Sequence, residues 1–149
     1  MTEVKKKAIP FDEDIANSFL KNKGGAGGLH DFLGFKMVEA GPGFMRGQVE
    51  VRPELLTPIG NMHGGVLSAF CDHMLGCVCY PAMKRGQWAA TTEFKINLTA
   101  PVSRGTLDAT ANIINLGRTQ AVVRIDVMNE DRLVAVAQGT VTIRDPRKA

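Results

Sequence analysis

Between positions 88 and 99 the chain alternates: Trp88, Ala90, Thr92, Phe94, Ile96 and Leu98 on one side, Thr91, Glu93, Lys95, Asn97 and Thr99 on the other. A period of two belongs to an extended chain with one face covered, so the run predicts a half-buried strand, closed by Pro101. Leu107, Ala109, Ala111 and Ile113 repeat the pattern. Two more such runs lie between Thr119 and Arg144, joined by the polar turn Asn129-Glu130-Asp131, and Gly139 within the second predicts a bulge. Upstream, residues 34–40 and 44–52 form two strand-like runs separated by Gly41-Pro42-Gly43, a strong turn signal.

The period changes to that of a helix in two places. Phe11, Ile15, Phe19 and Leu20 recur at helical spacing within residues 10–23, with acids at the front and lysines at the rear, which suits the helix dipole. Residues 66–80 are apolar nearly all the way round, which predicts a buried helix. About six antiparallel strands with one long helix after the first two favour an α+β fold, an antiparallel sheet wrapped around a single central helix. Residues 30–149 then make one domain, preceded over 1–29 by a helix and a glycine-rich joint.

A chain of 149 residues, 44% hydrophobic, is the size of one domain with one core. The formal charge of +3 changes little, because the cations are scattered except at Lys5–Lys7 and at the tail Arg-Asp-Pro-Arg-Lys. No face is built for nucleic acid. The glycines at 24–28 have neither a preceding strand nor a following Gly-Lys-Ser/Thr, so they form a joint and not a phosphate loop. Cys71, Cys77 and Cys79 all fall in the central helix and resemble no disulfide framework, which points to a reducing, cytoplasmic setting. No signal-peptide h-region and no run of membrane-spanning length is present, so no membrane partner is expected.

The chemistry concentrates in "PIGNMHGGVLSAFCDHMLGCVCY", residues 58–80. His63-Gly64-Gly65 opens the helix, and backbone N–H groups there face outward with the positive end of the dipole behind them, a setting for a carbonyl oxygen acquiring charge. Gly65, Ser68, Ala69, Asp72 and Gly76 share one stripe of small side chains with the carboxylate in its middle, where it can serve as base or nucleophile. Gly64 and Asp72 are eight residues apart, about 12 Å at a helical rise of about 1.5 Å. If both attend one carbonyl, the acid must come from a second copy, which makes a symmetric dimer with sites at its interface. An equally weighted structural reading has the glycines merely permitting close packing and Asp72 as a satisfied acid.

Residues 38–74, followed by "TTEFKINLTAPVSRGTL" and "LGRTQAVVRIDVMNEDRLVAVAQGTVTI", resemble the hotdog-fold acyl-CoA thioesterases of the phenylacetate-pathway type, in the 4-hydroxybenzoyl-CoA thioesterase superfamily. The resemblance implies a hotdog fold, a homodimer with a continuous sheet, often paired into a homotetramer, and hydrolysis of an acyl-coenzyme A to acid and free coenzyme A without metal or redox cofactor. It implies that Gly64 supplies the oxyanion N–H, that Asp72 of the partner chain is base or nucleophile, and that Thr91 orients the acid or the water. Gly117, Arg118 and Thr119 would lie beside the coenzyme A arm, and Gly65 beside the substrate. The family's Asn, six residues before the histidine, is replaced here by Thr57, whose hydroxyl is a shorter donor; Asn61 is a substitute from a nearer position.

His63 at the helix cap reads as a structural residue more than a base. His73 and Cys77 have a zinc-compatible spacing but no second ligand pair, so no metal is expected. Cys71 reads as a small hydrophobe. Phe70 and Met74 are expected among the acyl-pocket walls. Two alternatives stay open: a non-catalytic acyl-CoA binder or sensor on the same fold, and a hotdog dehydratase using His63.

Overall fold

The computed structural model describes residues 8–22 and 27–146. Lys5–Lys7, residues 24–26 of the glycine tract and the last residues of the basic tail lie outside them. Among the described residues no helix is long and apolar enough to cross a membrane.

Six strands form one antiparallel sheet: β1 (Lys36–Gly41), β2 (Phe44–Glu50), β3 (Trp88–Leu98), β4 (Thr106–Leu116), β5 (Gln120–Asn129) and β6 (Arg132–Arg144), in the order β1-β2-β4-β5-β6-β3. The long helix α3 (Gly64–Cys77) crosses the inner face and packs on strands β2 to β6. Alternation along β4 and β5 sends Leu107, Ala109, Ala111, Ile113, Ala121, Val123, Ile125 and Val127 inward, all buried as their period predicts. Close packing under α3 needs absent side chains: a Cβ on Gly47 of β2 would come within 2.6 Å of Met74 Sδ. The turn from β1 to β2 runs through Gly43 at φ +77°, a conformation open to glycine at little cost.

Two shorter helices flank this unit. In α1 (Glu13–Lys21), Asp12 is the N-cap, its Oδ1 accepting from the N–H groups of Asp14 and Ile15. It packs against β1 and the 3₁₀ turn Tyr80–Ala82, and Asp12 N–H donates to Pro81 O at 2.7 Å. Helix α2 (Leu29–Leu33) was not expected from the pattern, because five residues are too few to show a period; Gly34 ends it in the left-handed region.

Three expectations are corrected. Gly139 is not a bulge: β6 runs straight through it, and the irregularity lies opposite, in β3 between Thr91 and Glu93. A Cβ on Gly139 would come within 2.5 Å of Glu93 O and of Phe94 Cβ, so glycine is there to admit the bulged neighbour. The bulge also breaks the single alternation expected for residues 88–99. Ahead of Thr92 the odd positions face α3, and beyond it Phe94 and Ile96 do, so Ala89, Phe94 and Ile96 pack together on the core. Finally, α3 is not buried all round. Leu67, Phe70, Cys71, Met74, Leu75 and Cys77 are buried, while Gly65 and Asp72 are exposed and Ser68, Ala69 and Gly76 are half-buried.

Candidate functional site

The loop before α3 is a small hairpin. Leu56 bridges Met62, Thr57 N–H donates to Asn61 O at 2.7 Å, and Gly60 N–H donates back to Thr57 O. His63 N–H is held by Leu55 O and Met62 N–H by Val102 O, so the chain enters the helix in one fixed direction. The hairpin gathers Thr57, Asn61, His63, Gly64 and Gly65 at one helix end.

The hydrogen bonds of that first turn are selective. His63 is the N-cap, and its Nδ1 accepts from Gly65 N–H at 2.8 Å. Its carbonyl takes the N–H groups of Val66, at 2.9 Å, and Leu67, at 3.3 Å. Gly64 N–H is therefore the first-turn donor left without a partner among the described residues. A Cβ at Gly64 would meet Leu98 Cδ1 at 2.9 Å, so the bare backbone also lets β3 approach. Gly65 can offer a ligand its bare Cα but not its N–H. The ring bond to Gly65 gives His63 a structural task, and Thr57 Oγ1 is buried without a hydrogen-bond partner among the described residues.

Asp72 stands two turns further along. The β3 bulge places Thr91 across from it, and the two line one open depression of about 540 Å³ together with His73, Gly76, Cys77, Tyr80, Ala89 and Phe19. Single alternation had put Thr91 on the face away from the helix; the bulge re-aims it. Phe70 and Met74, expected as pocket walls, are fully buried on the opposite face of α3 and line neither described cavity containing a predicted site residue. Phe19 and Ala89 were not anticipated. Tyr80 carried a usable signal, since it lies eight residues after Asp72 at helical spacing, whereas Phe19 arrives from a separate helix.

Burial decides the titration of the neighbouring groups. It pushes the thiols of Cys71, Cys77 and Cys79 up to about 12, with Asp72 adding to the effect on Cys71, so none is a thiolate near neutral pH. Burial also holds the His73 ring below the ordinary imidazole range, helped by His30, which stacks on it with centroids 5.3 Å apart. His73 Nε2 lies 3.5 Å from Cys77 Sγ. No group of three potential metal ligands occurs among the described residues.

Gly117, Arg118 and Thr119 form the exposed turn between β4 and β5, closed by Gly117 N–H to Gln120 O at 2.8 Å. They line a different cavity, of about 770 Å³, with Lys84 and the segment Ala8–Pro10. Within one chain, then, the predicted residues fall into three groups: the α3 N-terminus, the Asp72–Thr91 depression, and the β4–β5 turn.

Comparison with known proteins follows the same outline. The chain is 25% identical over 122 residues to a 1,4-dihydroxy-2-naphthoyl-CoA hydrolase of Listeria monocytogenes, covering 81% of this chain and 99% of that one. It superposes on a thioesterase from Haemophilus influenzae with a TM-score of 0.79 at 24% identity, over 83% and 87% of the two chains, a likeness of fold. It superposes on a mutant of the phenylacetic acid degradation protein PaaI from Thermus thermophilus with a TM-score of 0.69 at 29% identity, over 76% and 96%. The family model described as the thioesterase superfamily matches residues 59–136, which contain α3 and the run from β3 to β5, more than half of the chain. With the hotdog architecture and a helix that presents an unpartnered N–H at its start and a carboxylate at its middle, the chain belongs to the thioesterase superfamily, as a thioester hydrolase.

Proposed function

We propose that this protein hydrolyses an acyl-coenzyme A thioester at sites shared between two copies of the chain. One observation carries the reading: the unpartnered N–H of Gly64 and the Asp72–Thr91 depression lie at separate places along α3, both on its open side. A second copy with its α3 antiparallel brings the Asp72 of one chain to the Gly64 of the other. The edge strand β3 supports this, because none of its residues is buried and Trp88 and Leu98 are exposed along it.

The thioester oxygen then accepts from Gly64 N–H, which strengthens its hold as negative charge develops there. Asp72 of the second copy takes a proton from water attacking the carbonyl carbon, or attacks that carbon itself to give an anhydride that water opens. Thr91 Oγ1 orients the carboxylate or the water. Collapse breaks the C–S bond, and the sulfur leaves with a proton as free coenzyme A. Arg118 at the β4–β5 turn faces solvent, where it can pair with a phosphate of the coenzyme A arm. Thr57 or Asn61 supplies a second donor beside Gly64. No metal or redox cofactor enters this chemistry, and a soluble homodimer or homotetramer in the cytoplasm is the form in which it operates.

Asp72→Asn keeps size and removes the proton acceptor. It should lower kcat for thiol release by about 10²–10⁴-fold, with the thermal midpoint and dimer mass unchanged. Full turnover by that variant would remove Asp72 from the mechanism.

A further inference from the structure

The depression that holds Asp72 and Thr91 continues past both of them. One turn on from Asp72 is Gly76, where a Cβ would meet nothing within 4 Å, so the wall there is bare backbone. Four residues further on is Tyr80, and Ala89, two residues before Thr91 on the same face of β3, lines the depression as well. Phe19 closes the end, its ring 5.8 Å from that of Tyr80 and tilted by 47°. His73 and Cys77 line the depression too, their Nε2 and Sγ turned to each other at 3.5 Å, so the carboxylate lies among the polar groups and the two aromatic rings lie beyond Gly76.

A thioester carbonyl attended by Asp72 has two substituents, and the acyl one needs an apolar direction to leave in. The small residues Gly76 and Ala89 leave room beside Asp72, and the paired rings of Phe19 and Tyr80 line the same depression. We propose that Phe19, with Tyr80, forms the end wall of the acyl slot and sets the length and bulk of the acyl group the enzyme accepts. The inference rests on the reading that Asp72 acts on the thioester. Phe19 is fixed where it is by the docking of α1: Asp12 N–H on Pro81 O ties the helix start to the turn that carries Tyr80, and Arg85 bridges Asp12 and Asp14 at 2.7 and 3.0 Å. The helix preceding the domain is on this account part of the substrate site.

The test is a kcat/KM profile by thiol release over straight-chain acyl-CoAs from acetyl to palmitoyl, with benzoyl- and phenylacetyl-CoA added, on full-length wild type, Phe19→Ala, Phe19→Leu and Phe19→Trp. Phe19→Ala should move the optimum to longer or bulkier acyl groups, raising the long-to-short ratio by about 10-fold or more, the value of one or two methylenes in an apolar pocket. Phe19→Trp should move it the other way, and Phe19→Leu should fall between. Profiles that coincide with wild type in all folded variants overturn the proposal, and Leu and Trp keep it testable if Ala fails to fold. Asp72→Asn, assayed on the same series, separates the two layers: full turnover there discards the reading of Asp72, while unmoved Phe19 profiles with an inactive Asp72→Asn discard only the end wall.

Discussion

The two faces of α3 are made of different material. One face carries Leu67, Phe70, Cys71, Met74 and Leu75, large groups sealed against the sheet; the other carries Gly65, Ser68, Ala69, Asp72 and Gly76, none of which is buried. The closed face is saturated: Phe70 and Met74 have no exposed surface, and even Gly47 across from it must lack a side chain. The open face is too small-grained to seal itself, and it holds the helix's carboxylate. One helix therefore divides its labour, stability behind and chemistry in front, and a change on either face should damage one property while sparing the other.

The largest effect on stability belongs behind. Phe70→Ala removes a fully buried ring that packs tilted against Phe35, centroids 4.9 Å apart, and it should cost about 3–5 kcal/mol in denaturant unfolding. Activity per folded molecule should be retained, and a selective loss of kcat in the folded fraction would erase the division between faces.

In front, Gly64→Pro is the sharper probe, since it deletes the proposed oxyanion donor and little else. Gly64 is the first helical residue, where proline's missing N–H breaks no helical bond, and His63 before it is already extended at φ −65° and ψ 129°. The Cβ it adds must displace the end of the Leu98 side chain. Removal of one such donor predicts a fall in kcat of about 10²–10³-fold with modest change in melting temperature. Undiminished kcat would show that the open helix end is not where charge develops.

Much of this division was legible before the fold was seen, and the failures have physical causes. The strands of β4 and β5 announced themselves because a period of two survives any tertiary context that covers one face. The separation of Gly64 from Asp72 needed only the helical rise. What failed was the direction of apolar side chains: 66–80 is apolar enough all round that composition does not reveal which side meets the sheet, so Phe70 and Met74 were placed on the wrong wall. The facing of Thr91 failed for a subtler reason. A bulge inserts one residue and reverses the alternation before it, and its only trace in sequence, Gly139, sits on the neighbouring strand and was read as the bulge itself. Phe19 was out of reach because a contact across some 60 residues to Tyr80 leaves no local pattern.

The smallest expected effect concerns α1, the element that meets the open side at its far end. Its N-cap Asp12 is held below the ordinary carboxylate value of 3.8, first by the hydrogen bond from Arg85 and next by the N–H of Ile15. A lowered folded-state pKa means that ionised Asp12 favours docked α1 at every pH above the ordinary value, and that this contribution fades as pH falls from about 4 through the lowered one. Protonation weakens the cap and the bond to Arg85 together, so α1 should loosen while the closed face of α3 holds. Hydrogen-exchange protection factors for residues 15–21 should drop between pH 5 and pH 3 relative to those of 70–77. Arg85→Met should lower α1 protection already at pH 5 and flatten the pH dependence. Equal protection at both pH values, or a drop that persists unchanged in Arg85→Met, would mean that α1 is held by its apolar face alone and that the aromatic end of the depression is as rigid as the core.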